Sequence, residues 1–547
     1  MDNNSVVLSV LDAVIAAASL TLRYSSILFV RFTDGEISPL TNTYKHPIGK
    51  RHLDRIYGSF ATFLLAFSMQ FLLIKHNKLR LKRRPGVAPF LGIIDSNRPF
   101  STVAGFFINL LCLGAVLDFL FRGHFLHHSS DLAFSRVGYV DSSTARIVVR
   151  APISDYVEIT ITGGASDVDK PKPILLKSEF DYVGTFLVEG LKANTSYTYS
   201  TNASHVGSFR TLTQPSSGPK RWSLASSSCI KPFYPYSPTD HGLRIKGLEY
   251  LSNYVSGNPV EMVLFLGDFI YIDLPIPLGW DVNAYSTAYR QVYASPSWSP
   301  QLRSLPWLHV YDDHEIINDW AANETGLYDT AMQPFWNYHG YANPPSEFGT
   351  GKTYYIFRHG GVAFFVLDTR RYRSDNAKTD GPEKTMLGVE QLAALKKWLE
   401  TESDWKVVVS SVPFTRNWRG PDSADSWSGF LWEREIILDT MKQNGGAIIL
   451  SGDRHEHATT KFPPKDPGDK PVIEFSTSPL NQFYEPFDRF YKEIEETDIS
   501  IHSHPWGTSK FGRVTFDTTE ENRFQVHYDL IVDGLKVWEY DWEVKKD

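Results

Sequence analysis

The sequence has few cysteines and no excess of positive charge, and both shortages exclude classes of protein. Only two cysteines, Cys112 and Cys229, occur in 547 residues, which excludes a scaffold held by several disulfides. The formal net charge of −7 argues against general binding of nucleic acid. Internal repeats and low-complexity tracts are also missing, so the sequence does not indicate a repeat protein.

What the sequence does have is enough apolar material for several cores. Hydrophobic residues make up 42% and charged residues 21%, which excludes wholesale disorder. The length corresponds to about three or four domains. Residues 1–130 carry 14 Lys and Arg against 7 Asp and Glu, so the remaining 41 bases and 55 acids give residues 131–547 a charge of −14. We therefore expect a basic head and an acidic body.

The head contains the long apolar runs. Residues 56–74 have no charged side chain and residues 100–121 have one, Asp118, and both runs approach the ~20 residues that cross a bilayer as a helix. A weaker run, residues 6–22, contains Asp12. We predict a membrane head over residues 1–130 with two or three transmembrane helices; a buried core helix is the alternative for each run.

The side of the membrane follows from the basic segment KHNKLRLKRR at residues 75–84. The positive-inside rule places this segment in the cytoplasm, so the chain after about residue 123 is expected to be luminal or extracellular. Sequons at Asn194, Asn202 and Asn323 agree with that side. The basic loop 23–55 opposes it if the first run spans.

Two further domains are predicted from the strand pattern. Residues 131–214 carry short β-branched runs separated by turn residues, which predicts a fibronectin- or Ig-like β-sandwich, with a generic antiparallel sheet as the alternative. From residue 215 to 547, near-continuous apolar runs such as EMVLFLGD and GGAIILSGD alternate with amphipathic helical stretches. Such runs are typical of strands covered on both faces in an α/β domain.

Four of these apolar runs end in side chains of the types that bind metals. The clusters contribute Cys229; Asp268 and Tyr271; Asp312, Asp313, His314, Glu315 and Asn318; and Asp453, His455 and His457. Sites in open α/β sheets form at the carboxyl ends of strands, so we expect the clusters to meet. One Gly-Asp after a strand is usually turn chemistry, but four clusters in one domain indicate a site for two or more cations.

Such a site is suited to phosphoric esters. Two cations a few Å apart can hold a phosphoryl group and neutralise charge during an in-line displacement. Asp268 is the natural bridging carboxylate. His314, flanked by acids that favour its protonated form, is placed to give a proton to the leaving alkoxide.

The ordered motifs GDFIY, DDHE, LDTR and SGDRH, after an SxC strand end and a fibronectin-like module, resemble the alkaline phosphatase D (PhoD-type) branch of the metallophosphoesterases. LGVEQ with a following WL, and the aromatic-glycine segment before WEREIIL, match as well. The resemblance covers roughly residues 134–540 and leaves the membrane head outside. It implies a four-layer α/β/β/α sandwich and a centre of iron with calcium that hydrolyses phosphomonoesters and phosphodiesters; other divalent metals are possible.

The resemblance also implies roles for single residues. Asp313 stands where the wider superfamily carries Asn in its Gly-Asn-His-Asp/Glu motif, and His314 matches the catalytic His. Asn318 is a second candidate for a polar phosphate or metal contact, and Arg454 a candidate for holding phosphate. The implied metal ligands are Cys229, Asp268, Tyr271, Asp313, Asp453 and His455.

One position departs from the family pattern. Phe269 stands where the GD motif often continues with a phosphate-binding Arg, so Arg454, Arg370 or Arg371 would have to substitute, although strand-end arginines are more often surface ion pairs.

Several other side chains have two interpretations each. His457 is either an outer partner of the site or exposed. His502 and His504 either alternate like metal ligands or form a turn before Pro505. The aromatic residues that could line a substrate mouth, but more often pack, are Tyr372, Trp427 and Phe430.

Taken together, the sequence predicts a membrane-anchored metal-dependent phosphomonoesterase or phosphodiesterase with its catalytic domain on the exoplasmic side. The expected partners are a phosphate ester and the membrane, not nucleic acid; no oligomeric state is indicated. Two alternatives stay open. One is a diesterase for lipid or glycan phosphates at the membrane surface, and the other is a degenerate phosphatase-like domain that binds or scaffolds.

Overall fold

The computed structural model describes residues 3–31, 48–164, 168, 170–214, 220–418, 421–482, 491–493, 497–520 and 522–545. The chain divides into two compact units. The helical unit comprises Met1–His127, Pro235–Gly242 and Leu274–Ile276, and the sheet unit comprises the rest. Residues 215–219, at the start of the predicted α/β domain, and part of the basic loop, residues 32–47, lie outside the described residues.

In its described residues, the helical unit has three long helices and one short one. They are α1 (Asn3–Arg31), α2 (Ile48–His76), α3 (Val87–Leu91) and α4 (Pro99–Phe125). The segments Ser5–Arg31, His52–His76 and Pro99–Phe125 are long and apolar enough to cross a membrane. The weakest of the three predicted runs, residues 6–22, therefore belongs to a helix of the same class as the other two.

Aromatic packing and buried polar contacts join these helices. The ring of Phe63 in α2 lies 5.8 Å from that of Phe106 in α4. Arg23 in α1 donates to the Asn109 side chain of α4 at 2.6 Å and to the carbonyl of Phe90 in α3 at 2.6 Å. The contacts satisfy polar groups that would otherwise face apolar surroundings.

The first part of the sheet unit is an antiparallel module. Its strands are β1 (Phe134–Val140), β2 (Ala145–Arg150), β3 (Tyr156–Val157), β4 (Ile159–Thr162), β5 (Ile174–Leu175), β6 (Val183–Val188), β7 (Ser196–Thr201) and β8 (Val206–Arg210). Strands β1, β2 and β6 form one sheet, β4, β7 and β8 a second, and β3 pairs with β5. Residues of both three-stranded sheets, such as Ile147 and Tyr199, share one apolar core. The kinship of this module with fibronectin or Ig domains stays a prediction.

The remainder of the sheet unit is built on two larger sheets. The strands are β9 (Arg221–Ser227), β10 (Met262–Leu266), β11 (Trp307–Val310), β12 (Tyr355–His359), β13 (Val362–Val366), β14 (Trp405–Val409), β15 (Ile448–Ser451), β16 (His457–Phe462), β17 (Val472–Thr477), β18 (Ile499–His504), β19 (Lys510–Glu520), β20 (Arg523–Val532) and β21 (Leu535–Lys545). One sheet has the order β11-β10-β9-β19-β20-β21 and the other β12-β13-β14-β15-β17-β16-β18. One apolar cluster contains residues of both, such as Leu264 and Val407.

Helices cover these sheets with two more apolar clusters. They are α5 (Lys246–Gly257), α6 (Val282–Tyr293), α7 (Pro300–Ser304), α8 (Tyr328–Tyr338), α9 (Gly388–Thr401) and α10 (Leu431–Gln443). Leu251 of α5 and Phe335 of α8 share a cluster with Phe265 of β10. Leu395 of α9 and Ile437 of α10 share another with Phe365 of β13. The predicted α/β character is confirmed, because the apolar runs are strands buried on both faces.

Parallel pairing determines where the polar clusters lie. In the six-stranded sheet β10 is parallel to both β9 and β11. In the other sheet β13, β14, β15 and β17 are consecutive parallel neighbours. The carboxyl ends of each parallel set therefore lie at one edge of their sheet.

Candidate metal centre

The candidate site is built by loops that leave the carboxyl ends of four strands, three in the six-stranded sheet and one in the seven-stranded sheet. Cys229 follows β9, Asp268 follows β10, Asp312 follows β11 and Asp453 follows β15. The chain turns sharply at three of these points, since Cys229, Asp268 and Asp453 have φ of 65°, 56° and 74°. Left-handed backbone is rare for residues other than glycine and is concentrated at functional sites.

One group of ligand atoms combines sulfur, oxygen and nitrogen. The Cys229 Sγ lies 3.3 Å from Asp268 Oδ2, and the Tyr271 hydroxyl lies 3.0 Å from both Asp268 Oδ2 and His455 Nε2. Donor atoms of Cys229, Asp268 and His455 lie within 4.8 Å of one another, and all three residues are buried. The structure thus brings together four residues that are up to 226 positions apart in the chain.

A second group consists of carboxylates. Oxygens of Asp268, Asp312 and Asp453 lie within 4.8 Å of one another. Asp268 belongs to both groups, as a bridging carboxylate would. Asp312 was grouped with Asp313 in the sequence but was not among the predicted ligands; its position directly after a buried strand was the available signal.

The chemistry of these donors fits metal ions. One carboxylate oxygen of each of Asp268, Asp312 and Asp453 is buried and makes no hydrogen bond within the described residues. Burial raises the pKa of all three carboxyls. Burial, then the charges of Asp268 and Asp453, also raises the pKa of the Cys229 thiol. Burying several carboxylates close together is costly, and bound cations would offset that cost. The set with sulfur and nitrogen suits a transition metal, and the all-oxygen set suits a hard cation such as Ca²⁺.

Asp313 and His314 lie beside these groups. Ligand atoms of Asp268, Asp313 and His314 form a further set within 4.8 Å, and Asp313 also groups with Asp319 and Asp425. The Asp313 Oδ1 accepts a hydrogen bond from the His314 backbone N–H at 3.0 Å. The predicted catalytic His is therefore next to the predicted bridging carboxylate.

A buried acid that sequence reasoning missed holds His314. The Nδ1 of His314 lies 2.7 Å from Asp273 Oδ1, and the backbone N–H of Asn318 donates to Asp273 Oδ2 at 2.9 Å. Burial lowers the pKa of His314, but Asp273, Asp313 and Asp268 together raise it well above its usual value. An acidic residue five positions after Asp268 was the only signal in the sequence.

Glu315, the last residue of DDHE, joins two of the loops. Its carboxylate accepts hydrogen bonds from the backbone N–H groups of Asp268 (2.9 Å), Phe269 (2.6 Å) and Asp312 (2.8 Å). Burial raises its pKa to about 8, against the effect of these donors. Glu315 therefore sets the spacing of the loops instead of facing a ligand.

The arginines differ in what they contact. Arg370 is completely buried and donates to Asp312 and, with two nitrogens, to Asp425. Arg371 donates to Glu324 and is half-buried. Arg370 and Arg371 thus contact carboxylates, and neither takes the place of the phosphate-binding Arg that is missing at position 269. Arg454 Nη1 lies 3.7 Å from Asp453 Oδ2, at the edge of the centre, and its phosphate-binding role stays a prediction.

Phe269 itself does not face the metal ligands. It is completely buried, and its ring lies 4.5 Å from that of His339 and 5.0 Å from that of Tyr293. The residue that departs from the family pattern is thus a core residue in this chain.

Other predicted positions need correction. His457 is neither exposed nor a partner of the centre: it is buried on β16 and is hydrogen-bonded to Thr477 and Thr459. His502 and His504 lie on strand β18, not in a turn. Asn318 donates its backbone N–H to Asp273, and its predicted contact with phosphate or metal stays a prediction. Trp427 and Phe430 are core residues.

The fold of this protein is similar to the folds of two phosphatases of known structure. The structure is similar to a "Structure of PhoD" (TM-score 0.60, 19% identity, 76% of this chain and 90% of that one). It is also similar to purple acid phosphatase PPD1 from yellow lupin, Lupinus luteus (TM-score 0.53, 14% identity, 74% and 73%). At these identities the similarity establishes the fold, a metallophosphoesterase α/β fold.

Sequence comparison adds the family. The model of the PhoD-like phosphatase family matches residues 247–528, and this chain belongs to that family. The match contains Asp268, Asp312, His314 and His455, while Cys229 precedes it. The chain is 27% identical over 323 residues to alkaline phosphatase D of Bacillus subtilis (strain 168). That alignment covers 49% of this chain and spans about half, 52%, of the relative.

Proposed function

We propose that this protein hydrolyses phosphoric esters, both monoesters and diesters, at a centre of two or more metal ions. The observation that carries the proposal is that Asp268 belongs to two adjoining sets of ligand atoms. One set adds a thiol, a phenol and an imidazole, and the other consists of carboxylates alone. Membership of the PhoD-like phosphatase family supports the same reaction class.

Cys229, Asp268, Tyr271 and His455 would hold one metal, and Asp268, Asp312 and Asp453 the other. Cations bound there would neutralise charge on the phosphoryl oxygens during an in-line displacement. Iron for the first group and calcium for the second are proposed from the donor types. Asp313 stays a proposed ligand: its carboxylate groups with Asp268 and His314, but not with Cys229, His455, Asp312 or Asp453.

His314 performs the proton transfer in this proposal. As an imidazolium it donates a proton to the oxygen of the leaving alcohol, and Asp273 keeps the ring oriented through Nδ1. Arg454 binds a non-bridging oxygen of the phosphate. We also propose the family's four-layer sandwich, with a fibronectin-like module ahead of it.

The site is tested by Asp268→Asn in the full-length protein. We expect turnover of an aryl phosphate and a bis-aryl phosphate to fall at least about 1000-fold and bound metal to drop, because the bridging oxygen loses its charge. Asp439→Asn, an acid on α10 outside the site, is the matched control. Wild-type turnover by Asp268→Asn would refute the assignment.

We further propose that α1, α2 and α4 anchor the protein in a membrane, with residues 75–84 cytoplasmic and the sheet unit luminal or extracellular. Protease treatment of sealed membrane vesicles checks the side. Digestion of the sheet unit from the cytoplasmic face would contradict this orientation.

A further inference from the structure

The segment between α2 and α3 carries cations that the catalytic proposal does not use. In residues 78–84 exposed and half-buried side chains alternate, with Leu79 and Leu81 turned inward and Arg80 and Lys82 outward. This period of two is that of an extended chain. Backbone hydrogen bonds hold the segment, from Leu79 N to Ile74 O at 3.0 Å and from Ser96 N to Leu81 O at 2.9 Å.

One cation of this segment has a partner inside the helical unit. Arg83 forms an ion pair with Asp12 of α1, and Asp12 also accepts a hydrogen bond from Gln70 of α2 at 2.8 Å. This contact ties the segment to two of the long helices. It also fixes which side chains face outward.

The remaining cations have no such partner. We define the basic strip as Lys75, Lys78, Arg80, Lys82 and Arg84. All five are exposed, and none has a carboxylate oxygen within 4 Å among the described residues. Five uncompensated positive charges in ten residues call for an anionic partner.

The position of the strip identifies the chemistry of that partner. It begins at the end of His52–His76, one of the segments able to cross a membrane. Phe90 on α3 and Phe100 at the start of α4 are 66% and 89% exposed, so the same connection also presents apolar rings. Cations beside exposed apolar side chains at the end of a spanning helix match the headgroup region of a bilayer.

We propose that the basic strip binds the headgroups of anionic phospholipids. The proposal rests on the membrane anchoring proposed above but not on catalysis. Since Arg83 holds the segment in place, the strip presents an ordered row of charges. Acidic lipids would therefore be preferred over zwitterionic ones.

The test uses the full-length protein in a neutral detergent, with dioctanoyl phosphatidylserine and dioctanoyl phosphatidylcholine as probes and native mass spectrometry as the readout. We expect phosphatidylserine to bind on the order of 100-fold more tightly at low salt, and much of this preference to vanish at 0.5 M salt. Arg80→Gln/Lys82→Gln/Arg84→Gln should abolish most of the preference.

Controls separate charge from folding. Lys172→Gln/Lys192→Gln/Lys397→Gln removes three exposed charges from the sheet unit and should behave as wild type, and Arg80→Lys/Arg84→Lys should keep the preference. An unchanged preference in the strip variant, or equal displacement of lipid by inorganic phosphate, would overturn the proposal. Aryl phosphate turnover is measured in the same samples: its absence would contradict the catalytic proposal alone, since lipid preference does not depend on it.

Discussion

At the scale of the residue, the contact between Asp273 and His314 orients the group that we propose as the proton donor to the leaving alcohol. Both side chains are buried, and their 2.7 Å contact leaves only the other ring nitrogen of His314 for a substrate. Burial raises the pKa of Asp273. The charge of His314 and the hydrogen bonds that Asp273 accepts from His314 and Asn318 outweigh burial, so the pKa of Asp273 lies below its usual value. Both pKa shifts favour the charged forms, a carboxylate on Asp273 beside an imidazolium on His314.

This pair predicts a dependence on the leaving group. We expect Asp273→Asn to lower kcat for an alkyl phosphate by about 100-fold and for a nitrophenyl phosphate much less, because only the poor leaving group needs a proton. KM should change little. His314→Ala should show the same pattern.

The double variant supplies the control. If Asp273 acts through His314, Asp273→Asn/His314→Ala should be no slower than His314→Ala alone. Additive losses, or equal losses on both substrates, would show that Asp273 has a different role.

At the scale of the element, a buried acid within β17 connects that strand to the end of β15 and to the loop after β14. Glu474 on β17 accepts hydrogen bonds from the Ser451 hydroxyl of β15 and from the backbone N–H groups of Phe414 and Thr415, which follow β14. Burial raises its pKa to about 7, since desolvation outweighs these donors. The register of this edge therefore depends on a carboxyl that titrates near neutral pH.

The sign of the resulting pH dependence follows from linkage. The folded pKa of about 7 lies above the model-peptide value of 4.5, so the folded protein binds the proton more tightly. Protonation of Glu474 contributes up to about 3 kcal/mol to the free energy of unfolding. This contribution is complete below pH ~4.5 and is lost as the pH rises through ~7. Glu474→Gln should flatten the fall of apparent Tm between pH 5 and 7. An identical slope in wild type and variant would contradict this assignment.

At the scale of the whole molecule, the distribution of charge links stability to metal content. The sheet unit contains most of the chain's acids, and three of them, Asp268, Asp312 and Asp453, gather where loops from the two large sheets meet. Arg370 and Arg454 offset part of the mutual repulsion of these carboxylates, and bound cations would offset more of it. Stability and metal binding are therefore coupled.

Chelation should reveal this coupling. We expect removal of metals to lower the apparent Tm by on the order of 10 °C. Without metals, Asp312→Asn should be more stable than wild type, because one repelling charge is gone while Oδ1 can still accept from Arg370 and Ser411. With metals the order should reverse. Calorimetry of both proteins with and without chelator checks this, and a Tm indifferent to chelation would refute it.

The sequence by itself determined the local features of this protein. Apolar runs buried on both faces became β9, β10, β11, β13, β14, β15 and β17, and the ends of four of them carry the candidate ligands. The long apolar helices were likewise readable, because the spacing of apolar residues within a segment reflects the period of the helix or strand and which of its faces are buried. The motif order was sufficient for the family.

Only the tertiary structure decided which side chains meet. The choice of Asp312 as a carboxylate partner, the contact of Asp273 with His314, the burial of His457 and the packing of Phe269 all depend on residues distant in sequence. Cys229 and Asp453, for example, are 224 positions apart. Such contacts arise from how sheets and loops pack, and a single chain read without its fold contains no local periodicity that reports them.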